Sequence, residues 1–151
     1  MITETTTGKV LALFITLNDG NKTRKSIKSI HVDELGIKND KFYSKDSMRS
    51  ILLSSSDSYR LTKEQGISIE EGLLGENILL SINPYHLKHG DTLKIGSTYL
   101  EITQNCTLCN GLSKVNPRLP KILKSDRGIF AKYIKGSSEI KVDDKVEILD
   151  Y

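Results

Sequence analysis

Apolar residues in this chain recur with a period of two, in short runs broken by Gly, Asn, Asp or Pro. That alternation constrains the fold more than any other feature, because it fits strands with one buried face. Residues 8–17 form one strand-like run, Asn18-Asp19-Gly20-Asn21 supplies a turn, and residues 26–32 alternate again. Together they predict an opening hairpin. Further strands are expected over 49–53, 78–82, 91–102 (two strands about a tight Gly96-Ser97 turn), 128–134, 139–142 and 145–149. One short helix is expected over 57–65, with Ser54 to Ser56 as candidate N-caps and Gly66 closing it. A helical turn is expected near 121–124. Many short strands with one or two small helices predict a mainly β fold, a barrel of short, mostly antiparallel strands.

A chain of 151 residues is long enough to bury a core within one domain. Residues 1–7 read as a polar, loose tail and residues 8–151 as that single domain, with no internal repeat or linker. The net charge of +3 comes from 22 basic and 19 acidic residues that offset each other along the chain. There is no block of like charge and few aromatic residues are interleaved with the basic ones, so no nucleic-acid partner is expected. The first residues lack a basic n-region, and no apolar run approaches the ~18 residues that span a bilayer. No membrane association is expected. Two cysteines alone do not make a disulfide framework, so the expected compartment is a reducing cytoplasm.

Both cysteines lie in Thr103-Gln104-Asn105-Cys106-Thr107-Leu108-Cys109-Asn110-Gly111, directly after an alternating strand. A strand that delivers a thiol into a polar loop presents a reactive group on a rigid support. Four readings of the pair stand side by side. Cys106 and Cys109 with His86 and His89 have enough ligands for zinc, although their order and spacing match no finger pattern. A thioredoxin-type redox pair would want a helix N-terminus after a parallel strand, which the flanking pattern does not offer. A single nucleophilic or metal-ligating thiolate would need cations nearby, and Arg49, Arg118 and Arg127 are candidates. Inert, buried cysteines are the fourth reading. Gly75-Glu76-Asn77 also stands out, a flexible glycine followed by paired polar groups at the start of an apolar strand.

In order along the chain, these pieces resemble the MOSC domain, the C-terminal part of molybdenum-cofactor sulfurase. The resemblance runs over residues 8–149. It rests on Gly36-Ile37-Lys38-Asn39-Asp40, Arg49-Ser50-Ile51-Leu52-Leu53, Gly75-Glu76-Asn77-Ile78 and Gly90-Asp91-Thr92-Leu93-Lys94-Ile95-Gly96, then the cysteine loop, Arg127-Gly128-Ile129-Phe130-Ala131-Lys132 and Asp143-Asp144-Lys145-Val146. It implies a MOSC-type β-barrel with a pocket for molybdenum cofactor (molybdopterin) or a sulfur-transfer partner. Cys109, five residues after Gln104, best matches the family's cysteine and is the expected thiolate for molybdenum or persulfide sulfur. Cys106 matches some small members about as well. Asp40, Arg49, Gly75, Glu76, Asn77 and Arg127 fall on the family's pocket motifs.

The implied partners are a pyridoxal-phosphate-dependent cysteine desulfurase, or a molybdoenzyme or redox partner. The implied activity is sulfur carriage or cofactor binding. The alternatives are a molybdenum-dependent reductase of N-hydroxylated compounds with an external electron donor, and a non-catalytic partner-binding barrel. Three departures matter. The acidic loop carries Asn39 and Phe42 where the family usually has Gly and His, and the closing Gly-Asp is Asp143-Asp144 here. The expected chain is a bare MOSC domain without the N-terminal barrel region of the larger reductases.

Overall fold

The computed structural model describes residues 5–20, 23–106, 115–124 and 126–149. Eleven strands occur among them. β1 is Thr5–Thr16, β2 Arg24–Ile27, β3 Ser29–Asp33, β4 Gly36–Ile37, β5 Ile51–Ser55 and β6 Ile78–Leu80. They are followed by β7 Thr92–Ile95, β8 Thr98–Asn105, β9 Ile129–Gly136, β10 Glu139–Lys141 and β11 Lys145–Leu149. Two helices accompany them, α1 Ser56–Glu64 and α2 Leu119–Ile122, with a 3-10 turn at Ser47–Arg49.

The main sheet runs β11-β7-β8-β9-β5-β6-β1-β2, and a further β11–β1 pairing closes seven of its strands into a barrel. β1 makes the closure because it is long enough to serve three partners. Thr5 to Lys9 pair with Leu149 to Lys145, Val10 to Leu13 with Leu80 to Ile78 across a bulge, and Leu13 to Thr16 with Ile27 to Arg24. The strand therefore reaches back into the 1–7 stretch read as a tail. The β1–β2 pair is the expected opening hairpin, whereas β3 leaves it to form a small second sheet, β10-β3-β4.

Alternation does the sorting predicted from sequence. Leu93 and Ile95 of β7, Leu100 and Ile102 of β8, Ile129 and Ala131 of β9, and Val146 and Ile148 of β11 all face the core. The small sheet adds Ile30, Val32, Ile37 and Ile140 to the same cluster. β5 and β6 differ. They are buried at every position and pair in parallel through a crossover containing α1, an arrangement that buries both faces of a strand. Helix α1 starts where its polar cap allows, with the Ser55 hydroxyl accepting from the Asp57 N–H. It ends at Gln65, before Gly66 in the left-handed region. A satellite core of Ile67, Leu74, Leu119 and Leu123 ties both helices to the loop preceding β6.

One boundary moved. The polar run Thr103-Gln104-Asn105 reads as loop, but it continues β8, pairing Gln104 with Phe130 and Asn105 with Ile129. Ladder hydrogen bonds from β9 override the missing alternation.

At two positions where the resemblance expects glycine, the backbone keeps the glycine conformation with another residue. Asn39 has φ of 71° and Asp143 φ of 75°. Asn and Asp tolerate this region better than other side chains because they are short and bond locally. Asn39→Gly should therefore leave stability within about 0.5 kcal/mol, while Asn39→Ala should cost about 1–2 kcal/mol in urea denaturation.

Candidate functional site

Beside the β8 terminus lies a cavity of ≈ 390 Å³. Its walls come from three parts of the chain: the segment before β5 (Phe42, Lys45, Asp46, Arg49, Ser50), the loop before β6 (Leu74, Gly75, Asn77), and the β8–β9 end (Cys106, Arg127, Phe130). Leu52 completes the apolar side.

The first wall is set by the 3-10 turn. Asp46 caps it by accepting from the Met48 N–H at 3.0 Å, which places Arg49 at its end. The Arg49 Nε lies 4.0 Å from Asp46, with both side chains about half exposed, so this pair is weakly coupled. The Thr103 hydroxyl of β8 donates to the Met48 carbonyl and the Ser50 hydroxyl to the Ala131 carbonyl, binding the turn to the barrel.

The second wall depends on the side-chain amide of Asn77. Its Oδ1 accepts from the Leu52 N–H at 2.9 Å, and its Nδ2 donates to the Phe14 carbonyl at 3.1 Å and to Asp40 Oδ1 at 3.4 Å. Asp40 is buried behind the wall, where Oδ1 also accepts from the Thr16 N–H and Oδ2 from the Phe42 N–H. Asn77 thus links β1, β5 and the acidic loop. Gly75, at φ of 87°, brings bare backbone to the cavity surface.

Glu76 turns the other way and has no exposed surface. Its Oε2 accepts from the Ser54 and Tyr59 hydroxyls, and Tyr59 in turn accepts from the Gly72 N–H. Burial, then the Glu76 charge and the hydrogen bond to it, hold the Tyr59 phenol well above its ordinary pKa. Arg24 of β2 clamps the same loop, donating to the Gly72 and Glu76 carbonyls and to the Thr16 hydroxyl. Its face lies 5.6 Å from the centre of the Phe14 ring. Burial lowers the Arg24 pKa, against the opposing charges of Glu76, Asp40 and Tyr59.

The third wall carries Cys106 and Arg127. Cys106 immediately follows β8, its N–H bonded to the Gly128 carbonyl at 3.1 Å, and is 7 % exposed. Arg127, one residue before Gly128, enters the same cavity. Its Nε and Nη1 are buried and have no hydrogen-bond partner among the described residues. A buried donor without a partner typically costs about 1–3 kcal/mol, more when charged, and calls for a ligand or a functional reason. Phe42, half exposed at 50 %, stands in the wall with Lys41 Nζ 5.3 Å from its ring centre.

The motifs named from sequence converge unevenly. Cys106, Arg49, Gly75, Asn77 and Arg127 line one cavity; Asp40 and Glu76 lie behind its wall as anchors. Cys109 lies outside the described residues. Arg118 lines a separate depression with Leu61, Gln65, Lys121 and Ile122. His89 bonds the Thr103 carbonyl through Nδ1 at 2.9 Å, and no group of three His, Cys, Asp or Glu side chains suited to a metal occurs among the described residues. Sequence reading missed Arg24, Lys45, Leu52, Leu74 and Phe130. Phe130 and Leu52 sit in ordinary strand alternation, and nothing in the pattern separates Arg24 from a solvated strand residue.

The fold and site together define a closed β-barrel with a basic, thiol-bearing cavity at a strand terminus. The chain belongs to the MOSC domain family, whose profile matches residues 39–147. Domains of this family are commonly associated with molybdenum cofactor. The fold is similar to that of the YuaD protein from Bacillus subtilis, with a TM-score of 0.80 at 18% identity, covering 99% of this chain and 100% of that one. It is also similar to YiiM from Escherichia coli (TM-score 0.66, 15% identity, 95% and 70% coverage) and YiiM from Geobacillus stearothermophilus (0.63, 15%, 95% and 73%). No curated protein matches the sequence.

Two substitutions separate the anchors of the cavity from its working groups. Asn77→Ala should cost about 1–3 kcal/mol in chemical denaturation, because it strands the buried Leu52 N–H and Phe14 carbonyl side of the network. Arg127→Met should leave stability unchanged or raise it by about 1 kcal/mol, because it removes buried donors that have no partner.

Proposed function

We propose that this domain binds molybdenum cofactor in the cavity beside β8 and handles its sulfur through a thiolate of the cysteine loop. The observation that carries the reading is one cavity lined by Cys106 together with Arg127, Arg49 and Lys45. A guanidinium group suits a phosphate. Arg49 and Lys45 add positive charge, Gly75 allows close backbone approach, and Leu52, Leu74 and Phe130 supply the apolar surface that a ring system needs. A cavity of ≈ 390 Å³ lies in the range of about 300–1,000 Å³ typical of small-molecule sites.

The residues therefore fit the group, and Arg127 with Arg49 would hold its anionic tail. When bound, the cofactor supplies a sulfur-coordinated molybdenum centre, for which a cysteine thiolate is a suitable soft ligand. Cys109 is the proposed thiolate by its place in the family's motif, as ligand to molybdenum or carrier of persulfide sulfur. Cys106 is the competing assignment. A pyridoxal-phosphate-dependent cysteine desulfurase is the proposed sulfur source, and a molybdoenzyme the proposed recipient.

Native mass spectrometry of protein from a cofactor-producing host tests this. The wild type should carry an added mass equal to molybdopterin or to one sulfur atom, lost in Cys109→Ser and reduced in Arg127→Gln. Loss in Cys106→Ser alone would move the thiolate to Cys106. Unmodified protein throughout, even after incubation with free cofactor or a desulfurase, would overturn the reading.

A further inference from the structure

Cys106 is only 7 % exposed, and it lines the cavity. A persulfide carried on another protein cannot readily reach a thiol so placed, because protein-to-protein sulfur transfer needs two side chains to meet at an open surface. A small molecule that enters the cavity can. The cavity also specifies the charge of that molecule. Arg127, Arg49 and Lys45 line it with positive charge, against the single carboxylate of Asp46.

The thiol and the guanidinium are held in fixed relation by the sheet. Asn105 pairs with Ile129, and the Cys106 N–H extends the ladder to the Gly128 carbonyl, next to Arg127. An oxyanion paired with Arg127 in the cavity therefore lies in the same space that Cys106 lines.

From this juxtaposition we propose that Cys106 accepts sulfur from small anionic sulfane-sulfur donors of the thiosulfate and thiosulfonate class, with Arg127 receiving the donor's sulfur oxyanion. The inference rests on the reading of the cavity as a sulfur-handling site and names its donor. In the step, the Cys106 thiolate attacks the terminal sulfur of thiosulfate. A new S–S bond forms to Cys106, the S–S bond of thiosulfate breaks, and its electron pair leaves on sulfite. Cys106 becomes a persulfide, and total charge and sulfur count are unchanged, so no outside oxidant is required. With an aryl thiosulfonate the leaving group is the aryl sulfinate. Phe42, Phe130, Leu52 and Leu74 give such an aryl group an apolar seat that thiosulfate leaves unused, so benzenethiosulfonate is the better donor of the two.

The test is incubation of the full chain with thiosulfate or with benzenethiosulfonate. Intact mass, peptide mapping after alkylation, and assay of released sulfite or benzenesulfinate give the readouts. One sulfur atom should map to the Cys106 peptide with an equal amount of leaving group, at a lower concentration of benzenethiosulfonate than of thiosulfate. Arg127→Gln should raise the half-saturating donor concentration about tenfold or more, and Arg127→Lys should recover part of that loss, with melting temperatures not lowered. Sulfur found only on the Cys109 peptide, or an Arg127→Gln protein that loads like wild type, would overturn the proposal. Protein that binds molybdopterin or accepts sulfur from a desulfurase, yet gains none from either small donor, would overturn it while leaving the proposed function standing. Failure with all of them would overturn both.

Discussion

Three backbone segments meet at the side chain of Asn77, and no strand pairing could join all three at that point. β1 contributes the Phe14 carbonyl, β5 the Leu52 N–H, and the acidic loop the Asp40 carboxylate. A primary amide suits the position because it has donors and an acceptor on one rigid plane. The backbone of Asn77 extends the same junction, donating to the Leu52 carbonyl and accepting from the Phe14 N–H. Everything that lines the cavity on that side is held through this residue: Leu52 directly, Phe42 through Asp40, and Gly75 through the chain itself.

The two half-buried arginines around this wall divide the work between scaffold and site. Arg24 uses its Nη groups on carbonyls and a hydroxyl of the protein, so its charge fixes a loop. Arg127 leaves Nε and Nη1 without partners among the described residues and faces the cavity. A fold selected for stability alone would pair or replace such a group. Arg24 and Glu76, tied to the protein through Nη1, Nη2 and Oε2, hold the cavity in shape, and Arg127 in its wall adds the charge that suits an anion.

The barrel was legible because alternation survives in nearly every strand and turns carry Gly, Asn or Asp. Positions such as Leu93, Ile95, Val146 and Ile148 could be assigned to the interior from period alone. The parallel β5–β6 pair was less legible, because a strand buried on both faces has no alternation, and Ile51 to Ser55 reads the same in either direction. The end of β8 was hidden for a different reason: Gln104 and Asn105, beyond a register shift at Thr103, are held by their partners in β9 and not by any preference of their own. At the cavity, motifs named Cys106, Arg49, Gly75, Asn77 and Arg127 without showing that they meet. Asp40 and Glu76 look like binding carboxylates in a one-dimensional string, and only the fold reveals that both oxygens of Asp40 and Oε2 of Glu76 serve internal donors. Arg24 could not be separated from Lys25 beside it, since what distinguishes them is which face of β2 each occupies.

The pairing of β1 with β11 has a consequence for how the molecule is made. Thr5 lies opposite Leu149, and β11 sits between β1 and β7, so it is the last strand in sequence and fills the last gap in the barrel. During synthesis the other strands emerge first and leave two edges with unpaired N–H and carbonyl groups. Closure between such distant segments is slow by its topology, and open edges invite pairing with other chains. The nascent protein is therefore most vulnerable to association in the interval before residues 145–149 clear the ribosome.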